Sequence, residues 1–199
     1  MKKQNTNSKT FTMVGLAILT AIIIVLQVVT TYFPTKPFAI TLALIPIVIG
    51  AALYGAGAGA YLGAVFSVVV IIMCAVGADA GGAMVFYANP FLCILLCLLK
   101  GAAAGFVAGL VYNAVKRKNE IVGAVLAALC APVVNTGIFV LGLLALPPFR
   151  EVLSTWAGDT DILFFAIIGL TGINFLVELG VNMILCPVIV KVVHAIKKA

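Results

Sequence analysis

Residues 90–115, "PFLCILLCLLKGAAAGFVAGLVYNAV", form one long apolar run that contains a single charged residue, Lys100. As a helix this run is ~39 Å long, which is enough to cross the ~30 Å hydrocarbon core of a bilayer. The whole chain has the same character, because 64% of its 199 residues are hydrophobic, 9% are charged and the mean hydropathy is +1.29. Soluble globular domains do not have this composition. We therefore expect an all-α integral membrane protein.

Apolar runs of similar length follow one another along the chain. Residues 38–76 would be ~58 Å long as one helix, about twice the hydrocarbon core, so they must fold back on themselves. The glycines of "YGAGAG", which begins at Tyr54, supply the flexible turn. A re-entrant second segment with four full spans would fit the same parity, but the lengths favour six spans. We predict one domain, residues 1–199, with a bundle of six transmembrane helices over 11–32, 38–76 (two helices), 90–115, 122–146 and 162–193.

The basic residues indicate the orientation, because Lys and Arg are retained on the cytoplasmic side of a membrane. With six spans, most of the twelve basic residues fall on one side, whereas only Lys36 and Arg150 fall on the other. Both termini are therefore predicted to be cytoplasmic. This bias also accounts for the net charge of +6, so nucleic-acid binding is not needed to explain it. The residues on the cytoplasmic side are Lys2, Lys3, Lys9, Lys116, Arg117, Lys118, Lys191, Lys197 and Lys198.

The chain shows few signs of metal binding or catalysis. Cys93 and Cys97 share a helix face, but the single histidine, His194, is predicted to lie at the far end of the last span. Free cysteines in apolar segments usually pack as small hydrophobic residues, so we expect no metal site and no cofactor. There is no Walker A loop, Gly-x-Ser-x-Gly elbow or Cys-His pair of a nucleophilic enzyme. We therefore expect a protein that is not an enzyme.

Glycines recur four residues apart in two of the predicted spans. One set is Gly55, Gly59 and Gly63, and the other is Gly101, Gly105 and Gly109. Each set leaves a groove of bare backbone on one helix face, which lets another helix approach closely in lipid. The partner helix is either inside this protein, which we favour, or part of another membrane subunit.

Lys100 is predicted to lie ~15 Å from the start of its run, near the middle of the membrane, where an ammonium costs ~3 kcal/mol on insertion scales. It must therefore face the bundle interior or an aqueous cavity. On the last predicted span, Asn174, Glu178 and Asn182 recur every four residues and line one helix face. Asn135, in "PVVNTGIF" of the fifth span, adds a buried amide at a similar depth. We expect these polar residues to lie near one another.

Two interpretations of these residues compete. In the first, Lys100 and Glu178 form a structural ion pair, and the asparagines only link helices, each contributing ~0.6 kcal/mol. In the second, they line a polar pocket that takes a small hydrophilic molecule out of the external water. The cost of placing so many polar groups in lipid favours the pocket.

Several stretches form a recognisable pattern: "AILTA" in the first span, "LIPIVIGAALYGAGAGAYLGAVF" through the hairpin, "KGAAAGFVAGLVY", "PVVNTGIF" and "NFLVELGVN". Together with six predicted spans in 199 residues, they resemble the substrate-binding S components of energy-coupling factor (ECF) transporters. The resemblance covers nearly the whole chain. Its motifs point to the family and not to one substrate.

The resemblance implies a mechanism. S components bind vitamins or their precursors at the outer face of the bacterial plasma membrane, then associate with a transmembrane T component and two cytosolic ATPases. ATP use by these partners is thought to topple the S component and bring its pocket to the cytoplasm. Ala17 and Ala21 would contact the T component. The pocket would be built from the outer halves of spans four to six, with the loop of residues 77–90 as its lid, so Tyr87 and Asn89 join the candidate site residues.

The sequence thus predicts a high-affinity binding subunit for a water-soluble vitamin, with riboflavin, folate and pantothenate as examples. The lack of an ATP-binding motif agrees with energy supplied by partners. The alternative is a self-sufficient secondary transporter of a polar metabolite. Such a transporter usually has two related halves, which the sequence does not show, and only Glu178 is suited to proton coupling.

Overall fold

The computed structural model describes residues 3–32, 41–170, 172, 175–185 and 191. Every regular element in these residues is helical, in agreement with the predicted all-α class. The helices are α1 (Lys3–Thr31), α2 (Leu44–Tyr54), α3 (Ala56–Ala75), α4 (Ala80–Ala88), α5 (Pro90–Val115), α6 (Glu120–Ala145), α7 (Pro147–Ala157), α8 (Ile162–Phe164) and α9 (Phe175–Leu185). The helix α8 continues directly into a π-helical stretch, Phe165–Leu170.

Four of the described helices are long and apolar enough to cross a membrane: Lys9–Thr31 of α1, and α3, α5 and α6. A fifth span is counted only if α7 and Ile162–Gly169 are taken together, although they are bent by 93°. The predicted six spans and cytoplasmic termini therefore stay predictions. The helix α2 has 11 residues and is ~16 Å long, and residues 186–190 of the predicted last span lie outside the described residues.

The two glycine sets face each other between α3 and α5. A Cβ atom at Gly59 would overlap the Gly105 carbonyl oxygen, and one at Gly63 would overlap the Gly101 carbonyl oxygen. Residue numbers rise along α3 as they fall along α5, so the two helices are antiparallel. These glycines thus serve packing within the chain, the interpretation favoured from the sequence. Gly55 instead forms the turn between α2 and α3, where its positive φ of 96° suits glycine.

The short helix α2 lies at the centre of the bundle. It contacts α1, α3, α5 and α6, and most of its residues are buried. Tyr54, at its end, approaches Gly15 near the start of α1, and Gly50 approaches Leu19. The helices α1 and α2 are therefore antiparallel, and the start of α1 lies at the same end of the bundle as the Gly55 turn.

The helices α5 and α6 form a hairpin around the basic turn, residues 116–119. The Asn119 side chain accepts hydrogen bonds from the N–H groups of Ile121 and Val122, which caps the start of α6. The Tyr112 hydroxyl donates to Glu120 Oε1 at 2.8 Å and ties the two helices together. We call this end of the bundle, which also holds the Gly55 turn, the basic end, and the opposite end the α4 end.

The helix α7 is amphipathic and packs across the α4 end. Phe149, Leu153 and Ala157 are buried at four-residue intervals, whereas Arg150 and Glu151 are exposed. The Trp156 Nε1–H group donates to the Met84 sulfur at 3.2 Å and connects α7 to α4. The predicted last span is not a continuous α-helix, because the short helix α8 is followed by the π-helical stretch Phe165–Leu170.

Candidate functional site

Lys100 and Asn135 lie at the same depth in the bundle. Lys100 is about 15 residues before the end of α5, and Asn135 is about 15 residues after the start of α6. Because α5 and α6 are antiparallel and share the basic turn, both residues lie ~22 Å from that turn. Both side chains are buried, with 9% of Lys100 and 5% of Asn135 exposed. Lys100 and Asn135 are thus buried at the same level of neighbouring helices, and their assignment to one binding site stays a prediction.

The Lys100 ammonium packs on an aromatic ring. Its Nζ lies 4.3 Å from the centroid of the Phe139 ring, a cation–π contact between α5 and α6. Side chains on a helix lean toward its N-terminus, so the Lys100 side chain extends from its Cα toward the α4 end. Within the described part of the chain, no carboxylate pairs with this ammonium, so the structural ion pair with Glu178, the less favoured of the two interpretations, is not formed there.

Phe139 did not stand out in the sequence. It is one of many apolar residues in α6, and nothing in its type marks it as part of a site. Its position does carry a signal, because it follows Asn135 by one helical turn and so lies on the same face. A search for aromatic residues one turn from a buried polar residue would find it.

Asn135 has an unsatisfied oxygen. Its Oδ1 atom is buried and accepts no hydrogen bond from the described residues. An unpaired buried acceptor costs about 1–3 kcal/mol. Pro132, one turn earlier, has no N–H group, so it donates no hydrogen bond to the Ala128 carbonyl of α6.

Glu178 of α9 reaches the segment that precedes α2. Its Oε1 accepts the backbone N–H of Thr41 at 3.0 Å, and the side chain is 5% exposed. Asn182, one turn later, donates from Nδ2 to the Glu178 carbonyl at 2.8 Å, and its own Oδ1 is buried without a partner among the described residues. Asn174, the third predicted residue of this face, lies outside the described residues.

Thr41 lies on the same side of the α2–α5 contact as Lys100. The helices α2 and α5 run in the same direction because each is antiparallel to α3. Ile47 Cγ2 lies 3.0 Å from where a Cβ atom would stand at Gly105. Thr41 precedes α2 and Lys100 precedes Gly105 on α5, so both lie toward the α4 end from this contact. The Lys100 charge also acts electrostatically on Glu178.

Ser67 fixes the α5 backbone just before Lys100. Its hydroxyl lies 2.6 Å from the Cys97 carbonyl oxygen and 2.9 Å from the Gly63 carbonyl oxygen, and donates to these acceptors. Ser67 is fully buried. The Gly63–Gly101 contact beside it holds α3 and α5 close together. The α3–α5 packing thus makes a rigid wall from which the Lys100 side chain extends.

The predicted lid, residues 77–90, contains a helix, α4, where the sequence suggested a loop. Asp79 Oδ1 accepts the Gly82 N–H at 3.2 Å and caps this helix. Burial raises the pKa of the Asp79 carboxyl, and the Gly82 N–H and the Lys100 charge oppose this shift. The Lys100 ammonium therefore acts on a carboxyl of the α4 end as well as on Glu178.

Tyr87 and Asn89 have local roles in the described structure. The exposed Tyr87 donates its hydroxyl to the Ala75 carbonyl at 3.0 Å, and its ring contacts Phe86 edge to face. Asn89 Oδ1 accepts the Leu92 N–H at 3.0 Å and caps α5. The structure records no contact of either side chain with Lys100 or Asn135. Their assignment to a binding site stays a prediction.

Ala17 and Ala21 lie on an exposed face of α1. Val14, Ile18 and Val25 on the same side are also exposed. Few residues of α1 are buried, and only 11% of its most apolar window is covered by the rest of the protein. This face is therefore available to lipid or to another membrane protein.

The cysteines form no recognisable metal site in the described residues. Cys74, Cys93 and Cys97 are buried free thiols. No three His, Cys, Asp or Glu residues within the described ranges are placed to hold a metal ion. Cys186 and His194 lie outside those ranges.

The profile of one protein family, the substrate-specific component of ECF transporters, matches residues 11–190. The chain belongs to this family. The S component resemblance drawn from the sequence motifs is confirmed, and the match extends from α1 past α9. The family is a class of transporter subunits and not a class of enzymes. No curated protein and no solved structure matched the chain.

The S component identity gives the polar cluster its context. A substrate-specific component of a transporter needs a binding site for its substrate. Lys100, Asn135 and Glu178 are all buried, and the Asn135 oxygen has unused hydrogen-bonding capacity among the described residues. Such capacity is what a polar ligand needs in place of water.

Proposed function

We propose that this S component is the high-affinity binding subunit of an ATP-driven importer for a water-soluble vitamin or related micronutrient. It works with a T component and two cytosolic ATPases in the bacterial plasma membrane. The chain, residues 1–199, forms one domain of six transmembrane helices with both termini in the cytoplasm. Antiparallel packing of α1 on α2 supports this orientation, because it puts Lys9 at the same end as the basic turn.

One observation carries the proposal: Lys100 is buried near the middle of a membrane helix without a described counter-ion. A structural lysine at this depth is expected to pair with a carboxylate. A binding lysine keeps its ammonium available for the ligand. The described contacts of Lys100 therefore support the pocket and not the structural ion pair.

The binding site comprises residues from the α4 end and from the middle of the bundle. The ammonium, the Asn135 oxygen and the Glu178 carboxylate form its polar centre, and α4 closes it from outside. This site binds its ligand without a cofactor or a metal. The proposed site residues are Lys100, Asn135, Asn174, Glu178, Asn182, Tyr87 and Asn89.

The exposed face of α1 docks the T component. Ala17 and Ala21 are small and unobstructed, so a partner helix can approach the α1 backbone closely. The pocket lies on the other side of α2 from this face, on α5, α6 and α9. Docking and ligand binding therefore use different residues.

Reconstituted uptake tests the function. The purified protein in lipid vesicles is expected to bind its substrate but not to transport it. Uptake is expected only when the T component, both ATPases and ATP are present. Uptake by the protein alone would instead support a self-sufficient secondary transporter. In that case the buried Glu178 carboxyl would be the candidate proton-coupling group.

A further inference from the structure

We propose that the ligand of this site is dipolar, with an anionic group at one end and N–H donors at the other. The anionic group binds Lys100 and points toward the α4 end, and the N–H donors bind Asn135 and Glu178 deeper in the bundle. This inference rests on the proposed function, because it assumes that the cluster is the substrate site. It narrows the substrate class to organic acids with N–H groups remote from the carboxylate.

The anionic end follows from the surroundings of Lys100. The only described partner of its ammonium is the face of the Phe139 ring, which attracts a cation but accepts no classical hydrogen bond. An ammonium has three N–H donors, and these are left for a ligand. A carboxylate offers the strongest acceptor for them, because charge-assisted hydrogen bonds are about twice as strong as neutral ones.

The donor end follows from the acceptors around Asn135 and Glu178. Asn135 Oδ1 is buried and has no donor among the described residues. Glu178 Oε1 accepts the Thr41 backbone N–H, and the Thr41 hydroxyl also hydrogen-bonds to this carboxyl, so about two of the four acceptor positions of a carboxylate are left. A ligand with N–H groups satisfies these acceptors, but a simple anion leaves Asn135 unpaired and faces the negative charge of Glu178.

The orientation of the ligand follows from the direction of the Lys100 side chain. Lys100 and Asn135 start at the same depth, but the ammonium extends toward the α4 end and reaches Phe139. Phe139 lies one turn closer to that end than Asn135 does. The positive group of the site is thus nearer the α4 end than the Asn135 acceptor, and the carboxylate of the ligand points toward α4.

Charge balance agrees with a dipolar ligand. A cationic ligand would approach the Lys100 ammonium, and an uncharged one would leave this ammonium without a counter-ion. A ligand with a carboxylate at one end and N–H donors at the other gives the Lys100 ammonium a counter-ion and gives the Glu178 carboxyl hydrogen-bond donors. Biotin and folate have this arrangement, and pantothenate has one amide N–H with two hydroxyl donors remote from its carboxylate, whereas nicotinate has a carboxylate without an N–H donor.

Binding to the purified, ligand-free protein in detergent tests the inference with a fixed set of probes. The set contains pantothenate, biotin and folate, the uncharged counterparts panthenol and biotinamide, the donor-free acid nicotinate, the cation thiamine and the neutral riboflavin. The tightest probe is expected to be one of the first three. We expect its carboxylate to improve affinity about 30-fold over an analogue in which that group is replaced by an uncharged amide or alcohol.

Two variants and one control test which residues bind the carboxylate of the ligand and which bind its N–H donors. In Lys100→Met the acid and its uncharged analogue are expected to bind within about 3-fold of each other, because the partner of the carboxylate is gone. In Glu178→Gln the binding of both weakens, but the preference for the acid remains. Lys118→Met removes an exposed charge of the basic turn and is the matched control, with wild-type affinities expected.

The outcomes separate this inference from the proposed function. If thiamine, riboflavin or nicotinate binds most tightly, or if the preference for the acid survives in Lys100→Met, the dipolar ligand is ruled out while the S component function stands. If none of the probes binds, the inference also fails. Partner-independent uptake in vesicles would contradict the proposed function itself.

Discussion

The Lys100 ammonium lies 4.3 Å from the centroid of the Phe139 ring, and no described carboxylate pairs with it. A cation–π contact in a desolvated site contributes ~2 kcal/mol, which is less than the cost of removing an ammonium from water. The contact therefore holds the side chain in place without neutralising it. If Lys100 belongs to the proposed binding site, an anionic group of the ligand would compensate this charge.

Because α3 packs closely on α5, we predict that any side chain larger than glycine at position 63 lowers the stability of the fold. In Gly63→Ala, the new Cβ would overlap the Gly101 carbonyl, and backbone cannot move aside as a flexible side chain does. We expect a loss of about 1–3 kcal/mol in the free energy of unfolding, seen as a lower melting temperature in detergent.

Gly137→Ala is the matched control in α6, because a Cβ there meets nothing within 4 Å. Alanine in a helix interior is favoured over glycine by about 0.5–1 kcal/mol, so this variant should be as stable as the wild type or more stable. Equal stability of the two variants would mean that α3 and α5 do not pack through these glycines.

The exposed alanines of α1 predict a separation of transport from binding. The double substitution of Ala17 and Ala21 by leucine should block the approach of a partner helix, while the cluster on α5, α6 and α9 is unchanged. ATP-dependent uptake in reconstituted vesicles should fall at least about tenfold, with ligand affinity within about twofold of wild type.

Ala114→Leu is the control, because it makes the same kind of substitution at one exposed position of α5. It should leave ATP-dependent uptake and ligand affinity unchanged. A parallel loss of uptake and affinity in the α1 variant would show that Ala17 and Ala21 pack inside the folded protein.

Asp79 predicts a pH dependence of stability. Burial raises the pKa of its carboxyl above the ordinary value of 3.8. The folded protein therefore holds this proton more tightly than the unfolded chain, and the free energy of unfolding falls as pH rises from about 3.8 through the folded-state pKa. Asp79→Asn keeps a capping oxygen but cannot ionise. Its melting temperature at pH 7 should equal or exceed that of the wild type, with a gap that shrinks as pH is lowered.

Comparing Asp79→Ala with Asp79→Asn separates the contribution of the cap from that of the charge, because alanine removes both and asparagine removes only the charge. It should be less stable than Asp79→Asn by ~1 kcal/mol, the usual contribution of an N-cap. If the asparagine variant were the less stable of the two at pH 7, the ionised carboxylate would be a net stabilising group and the predicted sign would be wrong.

The sequence was sufficient for the long helices and for the main polar residues. The predicted fourth span coincides with α5, because an apolar run bounded by Pro90 and a basic turn has clear limits. Lys100 and Glu178 stood out because charged residues are rare in apolar helices. Packing of the spaced glycines within the chain was also expected, since their four-residue spacing leaves one helix face bare, but the sequence did not predict that the two sets would face each other.

Other features carried no signal in their residue type. Glu178 accepts the backbone N–H of Thr41, and every residue except proline has such a group. Phe139 is an ordinary apolar residue until the Lys100 side chain is placed beside it. The helix α4 is short and lacks polar periodicity, so residues 77–90 resembled a loop. The π-helical stretch of Phe165–Leu170 depends on packing and not on a residue type.

The central claim is that Lys100 serves the ligand and not the fold. The most direct test compares Lys100→Met with the wild type in one paired measurement: the melting temperature without ligand, and the affinity for the small molecule that copurifies with the wild type and is identified by mass spectrometry. We predict an unchanged or higher ligand-free melting temperature, because a buried charge is removed, and an affinity weaker by about 2 kcal/mol or more. A large loss of stability with unchanged affinity would contradict the claim and make Lys100 a structural residue.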